Sequence, residues 1–481
     1  MKIIHFNAAG IDIGAKKVFV AVENQKVVSF FTFTEDFEKL RDYLLKHKID
    51  TVAMEATGVY WVILHDILKE GGIDVWIVDG RQTKQVPGRK TDVKDCQWIQ
   101  QLHSYGMLSK SYVAEADIKT IRSYTRLRED HIRSASMHIN HMQKALTLMN
   151  IRLKEVISST LTHLRKLPKS TRFALDPKGN GLIFRLSPFR VGAKKGEKSI
   201  LCLICQSRFS QIHGKSGMKI ISAILAGERN RDVLVEMCHI NIKKEKRDEV
   251  YKSLKGKYTE EGLFALKQGY DAYHFYQNQI KECDEKINEV LNKMGNYGKG
   301  QPKTKRKPIR HNKPQIKNFG TNMNNIFDSK DATLISGITD YSWLQLLSEC
   351  GTDLSRWPIE KHYTSWLGLA PGQNNSGSKR KNAKRKGKPS AGQIFRGIAQ
   401  SIINSKKIAL GSFGRRIRAR KGPKVANKAV ARKLAELYWR VMVKGLEYTE
   451  YGIEKYQEQL EQQKIRSFRR LALELNAQVS V

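Results

Sequence analysis

The sequence predicts an α/β N-terminal domain with a mixed sheet, a long helical or coiled-coil arm, and a mainly helical C-terminal domain. Strand-like apolar runs alternate with amphipathic segments through residue 78. Apolar residues then recur at helical spacing along two long segments, 113–157 and 258–294. The chain has 481 residues. This length is enough for roughly two to four domains and a sizeable core.

The N-terminal elements follow the order βββ-α-β-α-β. The predicted elements are two strands joined by a turn in 10–22, a strand at 27–34, a helix at 37–47, a strand at 51–58, a helix at 60–70 and a strand at 74–78. A further helix begins near Asp92 and continues through Leu102. This order is the one found in the RNase H fold, so we predict an RNase H-like domain over 1–112.

Four acids occupy the positions where that fold carries carboxylates: the first strand, the end of the fourth strand, and a later helix. They are Asp12, Glu55, Asp92 and Asp95. Hard oxygen ligands of this kind hold paired Mg²⁺ ions about 4 Å apart in enzymes that act on phosphodiesters. Each acid also has a plain structural explanation. Asp12 beside glycine suits a turn. Asp92 suits an N-cap, and two acids at a helix start are favoured by its free N–H groups.

The charge of the chain indicates a nucleic-acid partner. Lys and Arg number 86 against 47 Asp and Glu, a formal net charge of +39. The basic residues cluster mainly in 294–315 and 379–424. We predict phosphate contacts from Lys379, Arg380, Lys381, Lys384, Arg385, Lys386 and Lys388. Charge runs are also typical of solvated linkers and tails, which is the alternative for both clusters.

The sequence predicts a cytoplasmic protein without a membrane segment. No apolar run reaches membrane-spanning length, and the first residues do not resemble a signal peptide. The six cysteines are scattered, as expected in a reducing compartment. Cys202 and Cys205 form a single CxxC pair. Cys238 and His239 are the residues that could complete a zinc site with this pair. Adjacent ligands after a long gap fit a zinc site poorly.

The helical arm, 113–294, is interrupted by residues 159–210. This segment contains Pro168, Pro177 and Pro188 and shows no sustained period. A structureless loop of this length is unusual inside a helical region, so we predict an in-frame insertion. A genuine accessory loop is the alternative. The apolar stripe of the arm itself is typical of a coiled coil or an oligomerisation element.

A basic, flexible linker is predicted at 295–330, a compact domain at 331–445 and a helical tail at 446–481. Inside the compact domain, the glycine turn at 334–338 and a helix at 341–350 resemble a helix–hairpin–helix element. Such a turn presents backbone N–H groups to a phosphate. Further helices are predicted at 393–408 and 425–443.

Six stretches together resemble one family. They read GIDIGAKKVFVAV (10–22), MEATGVYW (54–61), VPGRKTDVKDCQWIQQLHSYGML (86–108), HGKSGMKIISAILAGE (213–228), SWLGLAPGQNNSG (365–377) and KVANKAVARKLAELYW (424–439). The chain resembles the DEDD-type insertion-sequence transposases, which pair a RuvC-like nuclease domain with a serine-bearing C-terminal domain. Each stretch alone is a weak signal, whereas their combination is specific.

The resemblance implies a bridge-RNA-guided recombinase that cuts and rejoins DNA through a 5′-phosphoserine intermediate. It implies metal binding by Asp12, Glu55, Asp92 and Asp95 and a nucleophilic Ser376, with Mg²⁺ or Mn²⁺ as cofactor. The implied partners are donor and target DNA, a noncoding guide RNA, and further copies of the chain in a dimer that assembles to a tetramer. Without the resemblance, Ser376 would be a polar turn residue, and Ser378 is the neighbour most easily confused with it.

Two other functions remain open from the sequence. A structure-selective junction endonuclease would cut with metal-activated water and would not need Ser376. An inactive nucleic-acid-binding remnant would share the basic composition, although the acids and the serine are all retained. Strand exchange through phosphoserine conserves bond energy, which agrees with the lack of a P-loop motif in the sequence.

Overall fold

The structure, a computed structural model, describes most of the chain outside a few segments. The described residues are 2–80, 82–83, 91–153, 156, 214–295, 313–371, 374–376, 379–381, 389–406, 408–445 and single residues between 458 and 469; for 374–376 and 379–381 this holds for the backbone. The predicted insertion at 159–210, residues 296–312 of the predicted linker, most of the predicted tail, and Lys384, Arg385, Lys386 and Lys388 lie outside them. The chain forms two compact units, Met1–Glu115 and Ala116–Val481.

The first unit is built on a five-stranded mixed sheet in the order β3-β2-β1-β4-β5. The strands are β1 (Ala8–Ile13), β2 (Lys17–Val22), β3 (Val28–Phe31), β4 (Thr51–Glu55) and β5 (Asp74–Val78). β1, β2 and β3 pair antiparallel, whereas β4 pairs parallel with both β1 and β5. The predicted mixed sheet and its element order are confirmed, and the topology is the one expected of an RNase H-like domain.

Helices cover both faces of this sheet. They are α1 (Thr34–Lys46), α2 (Trp61–Glu70) and α3 (Asp92–Ser104). Side chains alternate between the two faces of a strand, so Ile11 and Ile13 join the core under α1 and α2. Ala53 lies on the opposite face and packs with Ile99 of α3. Gly10 and Asp12 therefore face the α3 side of the sheet.

The second unit begins with two long helices that pack antiparallel. The helices of this region are α4 (Ala116–Leu148), α5 (Lys215–Leu225), α6 (Arg231–Glu236), α7 (Ile240–Ser253) and α8 (Glu260–Gly295). Paired contacts run along the whole length of α4 and α8: Asp117 with Lys293, Arg128 with Asp284, Met142 with Gly269, and Met149 with Gly262. The two long helices predicted from the sequence are thus present, and their apolar stripes face each other within one chain. A coiled-coil geometry and a role in oligomerisation remain predictions.

α4 ends earlier than the sequence suggested. The helical pattern continues to residue 157, but the helix stops at Leu148, and Asn150 adopts a left-handed φ of 57°. The amide of Ile151 bonds to the carbonyl of Leu146 at 2.8 Å, which satisfies an exposed carbonyl at the helix end. Met149 and Ile151 are still apolar and buried, because the core shared with α5, α6 and α7 covers them. The apolar pattern therefore outlasts the helix.

The C-terminal part of the second unit is almost entirely helical among its described residues. It contains α9 (Phe319–Ile326), a 3₁₀ turn (Ala332–Leu334), α10 (Asp340–Cys350), α11 (Glu360–Trp366), the strands β6 (Asn374–Ser376) and β7 (Lys379–Lys381), α12 (Ser390–Asn404), α13 (Ala409–Lys421) and α14 (Pro423–Lys444). Its core is aromatic, built around Trp343, Tyr363, Phe395 and Tyr438. In the described part of the chain no helix is long and apolar enough to cross a membrane.

Part of the predicted linker differs from the sequence expectation. Residues 319–326, assigned to the flexible linker, form α9, because Asn322 donates to Asn292 at 2.6 Å and Asn325 donates to the Gly295 carbonyl at 2.9 Å. These amides bind the end of α8. The glycine turn at 334–338 packs closely against α12. Gly337 has a φ of 93°, and a methyl group on its α-carbon would lie 2.6 Å from Ile402. Phosphate binding by this turn stays a prediction.

Asp284 is the buried acid on which the α4–α8 pair depends. Its carboxylate accepts from Arg128 Nε at 2.6 Å and from the Gln315 amide at 3.0 Å, and the Arg128 and Asp284 side chains are 1% and 2% exposed. Asp284→Ala leaves a buried, uncompensated guanidinium, so we expect a loss of about 3–5 kcal/mol in the free energy of unfolding. Urea unfolding followed by circular dichroism measures this loss.

The adjacent acid of α8 provides the matched control. Glu285 is exposed and lies 3.8 Å from Lys281. Exposed pairs of this kind contribute little, so Glu285→Ala is expected to change the unfolding free energy by less than about 0.5 kcal/mol. Equal losses in the two variants would contradict the importance of the buried pair.

Candidate active site

The first turn of α3 carries two of the four predicted acids. Thr91 caps the helix, accepting the Lys94 amide through its hydroxyl oxygen at 3.4 Å. Asp92 is therefore the first helical residue and not the cap that the sequence suggested, and Asp95 lies one turn further on. Both carboxylates stay in the first turn, where the helix dipole favours negative charge. Asp92 is exposed and Asp95 is half-buried.

α3 lies in direct backbone contact with the first strand. A methyl group at Gly10 would be 2.3 Å from both the Cys96 carbonyl oxygen and the Gln100 amide nitrogen. Only glycine accommodates this approach, because the opposing atoms are main-chain atoms that cannot turn aside. The sequence pattern places Gly10 in a strand but does not reveal this contact. The contact brings the start of α3 close to Asp12, two residues beyond Gly10 on the same face.

The other end of α3 fixes its direction. The Ser104 carbonyl accepts the Ile4 and His5 amides at 2.8 and 3.1 Å, just ahead of β1. The His103 ring lies 2.9 Å from the hydroxyl of Thr51, the first residue of β4. The C-terminus of α3 is thus at the edge where β1 and β4 begin. Its acidic N-terminus consequently points to the edge where both strands end.

Asp12 and Glu55 lie side by side at that edge. The last paired residues of β1 and β4 are Ile11 and Met54, so Asp12 and Glu55 are the next residues of two adjacent parallel strands. Both are half-buried. Thr83 donates its hydroxyl to Glu55 Oε2 at 2.7 Å. The Gly80 α-carbon is so close to this carboxylate that a methyl group there would lie 2.2 Å from Oε1. These contacts hold the Glu55 carboxylate at the strand end.

The pKa of Cys96 indicates that Asp12 and Asp95 both lie near its thiol. Burial first, and then the negative charges of Asp12 and Asp95, raise the pKa of its thiol to about 12. The thiol donates to the Val93 carbonyl at 3.1 Å and stays protonated. Two of the predicted acids therefore lie within electrostatic range of one buried atom. Cys96 was not predicted to belong to the site, although it directly follows Asp95 in the sequence.

The donor set fits a hard divalent cation in its chemistry. Four carboxylates supply the oxygen ligands that Mg²⁺ and Mn²⁺ prefer. Among the described residues, however, no group of three or more His, Cys, Asp or Glu side chains is gathered closely enough to hold an ion. Asp12, Glu55, Asp92 and Asp95 thus share one edge of the sheet without forming a closed ligand shell. Metal binding by these four acids stays a prediction.

Ser376 lies in the second unit, on a short hairpin. It is the last residue of β6, and its register partner in β7 is Lys379; Asn375 pairs with Arg380 in the same ladder. The predicted nucleophile is thus joined by backbone hydrogen bonding to the first residues of the predicted phosphate-binding run. The described residues divide the predicted site into two groups, with the acids in one unit and Ser376 in the other.

Two family models match the chain. Residues 9–151 match the model of the IS110-type DEDD transposases, described as "Transposase". Residues 332–412 match a model described as "Transposase IS116/IS110/IS902 family". The first match contains all four predicted acids, and the second contains Ser376 and the basic run. No curated protein matches the chain.

Gly10→Ala tests the backbone contact that places α3. The added methyl overlaps two main-chain atoms, so we expect α3 to shift and the first unit to lose about 1–3 kcal/mol of stability. Thermal unfolding measures the loss, and hydrogen exchange of the α3 amides reports the shift. Gly397→Ala is the matched control, because nothing lies within 4 Å of that position in α12 and alanine favours a helix. The close contact between Gly10 and α3 would be contradicted if Gly10→Ala kept the stability of the parent protein, whether or not the α3 amides exchanged faster.

His103 makes the stability of the first unit pH-dependent. Burial, helped by the charge of His5, lowers the pKa of His103 from 6.5 to about 4. The unfolded chain protonates this histidine below pH 6.5 while the folded chain keeps it neutral, so stability falls as the pH decreases from about 6.5 to about 4. The full loss is up to about 3 kcal/mol. Urea titrations across this range should show the slope in the parent protein and a shallower one in His103→Gln.

Proposed function

Since this chain is a DEDD-type transposase of the IS110 family, we propose that it cuts and rejoins insertion-sequence DNA through Ser376, supported by the four acids of the first unit. The observation that carries the proposal is the placement of the α3 start against the ends of β1 and β4. This placement sets Asp92 and Asp95 at the same sheet edge as Asp12 and Glu55. An acidic edge is what phosphodiester chemistry requires, and Ser376 supplies a nucleophile that hydrolysis does not need.

The proposed reaction begins with attack of the Ser376 hydroxyl oxygen on a scissile phosphate. A serine–phosphate bond forms as the bond from phosphorus to the 3′ oxygen breaks, and the departing 3′ oxygen takes a proton to become a hydroxyl. A 3′-hydroxyl then attacks the phosphorus of another phosphoserine and releases the serine. One phosphodiester bond is rebuilt for each one broken, so no external energy source is needed. A serine hydroxyl is a weak nucleophile and needs activation by its surroundings.

The acids support this step by binding and orienting. Asp12, Glu55, Asp92 and Asp95 would hold a divalent cation, Mg²⁺ or Mn²⁺, which supplies stabilisation of negative charge on the reacting phosphate. Thr83 keeps the Glu55 carboxylate in one orientation through its 2.7 Å hydrogen bond. Gly10 fixes the distance between Asp12 and the first turn of α3. The DEDD class itself suggests use of a divalent metal.

The basic run beside the serine is proposed to hold the DNA backbone. Lys379 is the register partner of Ser376, and Arg380 and Lys381 follow it in β7. Cations at these positions place positive charge along the strand next to the nucleophile. Lys384, Arg385, Lys386 and Lys388 continue the run in the sequence. Contacts of this type position a nucleic acid without reading its sequence.

Sequence choice is proposed to come from an element-encoded guide RNA, as the family resemblance implies. Base pairing would then read the target, while the protein recognises shape and backbone, as in other RNA-guided systems. The formal charge of +39 supports more than one nucleic-acid partner. We further propose assembly of dimers into a tetramer, since the acids and Ser376 lie in separate compact units. The exposed faces of α4 and α8 are the proposed assembly elements.

Ser376→Ala tests the serine mechanism. The parent protein, supplied with its flanking noncoding RNA, donor and target DNA and Mg²⁺, is expected to form a covalent protein–DNA adduct visible on a denaturing gel. Removing the hydroxyl removes the proposed attacking oxygen, so the adduct should fall below detection in the variant. Ser378→Ala is the matched control, two residues away in the same segment, and should keep the adduct within a few-fold of the parent.

The same gel separates the proposal from its alternatives. Clean Mg²⁺-dependent cutting without any adduct, unaffected by Ser376→Ala, would assign the chain to the junction endonucleases. No cutting and no adduct in the parent, with both restored by deleting 159–210, would identify a recombinase inactivated by its insertion. Loss of the adduct in Ser378→Ala instead of Ser376→Ala would move the nucleophile to Ser378.

A further inference from the structure

A second basic surface lies outside the run next to Ser376. No Asp or Glu occurs between Glu360 and Glu436, whereas lysine and arginine recur throughout this stretch. Within it, α13 ends in a group of exposed cations. They are Arg416, Arg418, Arg420 and Lys421, which we call the α13 basic face.

Two glycines determine which side of α13 packs against its neighbouring helices. A methyl group at Gly411 would lie 2.5 Å from the Ile402 carbonyl oxygen, and one at Gly414 would lie 2.6 Å from Ile403 and 2.8 Å from Val430. This side of α13 is therefore pressed against α12 and α14. Because the contact is so close, the helix cannot rotate without a clash. Arg416, Arg418, Arg420 and Lys421 come after this contact in α13 and are exposed.

One arginine of α13 is structural and differs clearly from the others. Arg415 is half-buried and donates to the carbonyls of Ile403, at 3.1 Å, and Ser405, and to the Ser412 hydroxyl at 2.8 Å. It satisfies the C-terminal carbonyls of α12. Arg418, Arg420 and Lys421 take part in no ion pair with any residue that the structure describes.

The long helix α8 shows that this arrangement is not general in the chain. Exposed lysines of α8 sit three or four residues from an acid: Lys267 with Asp271, Lys281 with Glu285, and Lys286 with Glu289. Their charge is neutralised locally. A cation in the last turn of a helix also stabilises the helix dipole, but this effect is confined to the last turn and needs only a single charge. It does not explain four exposed cations in an acid-free region.

We propose that the α13 basic face binds the phosphate backbone of duplex DNA, as a contact separate from residues 379–388. This inference rests on the proposed function, which supplies DNA as the substrate. A duplex is favoured over a single strand because the exposed side chains of the face include no aromatic ring. Single-stranded nucleic acid is typically held by stacking of bases on such rings. Phe413, the nearest ring, is half-buried, with the Arg416 guanidinium 6.0 Å from its centre.

The test measures binding of the full chain to a fluorescein-labelled duplex DNA of arbitrary sequence at a series of KCl concentrations. Each phosphate contact releases counterions, so the slope of log affinity against log salt counts the contacts. For R418Q/R420Q/K421Q we expect the slope to become shallower by about 2–3 and the affinity at low salt to fall roughly 10-fold or more. The matched control, K39Q/R41Q/K110Q, removes the same charge from ion-paired positions of the first unit and should leave the slope unchanged.

Two further variants separate electrostatics from misfolding. R418K/R420K keeps both charges and should keep the parent slope, and circular dichroism should show equal helix content in all variants. An unchanged slope in the folded R418Q/R420Q/K421Q protein overturns the proposal. So does a loss of the same size in the K39Q/R41Q/K110Q control, which would mean that only total charge matters. A loss confined to single-stranded DNA or to duplex RNA, probed in parallel, overturns the assignment to duplex DNA.

The outcome is distinguishable from failure of the proposed function. The adduct assay with Ser376→Ala depends on the nucleophile, whereas the salt slope does not depend on any chemical step. At low salt and saturating protein, R418Q/R420Q/K421Q should still form the covalent adduct. If the parent protein forms the adduct and R418Q/R420Q/K421Q keeps the parent salt slope, the proposed α13 contact is wrong and the serine mechanism stands. If the salt slope of R418Q/R420Q/K421Q becomes shallower but the parent protein forms no adduct, the α13 contact stands and the serine mechanism is wrong.

Discussion

The backbone contact between Gly10 and α3 is the constraint on which the rest of the first unit depends. It sets the helix directly on the strand, with no side chain between them. The distance from Asp12 to the acids of α3 is therefore determined by main-chain geometry, which does not relax as side-chain packing does. The hydrogen bonds of Ser104 at the far end set the direction of the helix. Two simple contacts thus bring acids that are distant in sequence to a single edge.

The fold of the first unit was predictable because its signals are local. Alternating apolar residues define the strands, and Glu55 is recognisable as an acid that closes an apolar strand. The function of Gly10 was not predictable, since a glycine in a strand can mark a bulge, a bend or a close approach. Thr91 was overlooked as the cap because the neighbouring Asp92 is an equally good one by residue type. The positions of the candidate acids followed from topology, whereas the proximity of Asp12 and Asp95 to Cys96 is visible only in the folded chain.

In the second unit, sequence reasoning failed where tertiary contacts replace apolar periodicity. α9 is held by amide hydrogen bonds from Asn322 and Asn325 to the end of α8, and asparagine-rich segments are ordinarily loops. α13 was not predicted at all, because its packing face is made by Gly411 and Gly414 and its other face is basic. Glycine gives no hydrophobic signal, although here it permits the closest packing. The distribution of charge was also not predictable. The overall excess of positive charge was evident from the sequence, but not that the lysines of α8 pair with acids while the exposed cations of α13 lie in an acid-free stretch.

The antiparallel pairing of α4 and α8 has a consequence for how this chain tolerates changes in length. Each contact from Asp117–Lys293 to Met142–Gly269 fixes one residue of α4 against one of α8. Adding a residue inside either helix would rotate every later position by about 100° and break the match. The segment between the two helices is exempt, because both helices meet it at the same end of the pair. Residues 159–210 fall in that segment, so evolution can lengthen the chain there while the inherited register survives.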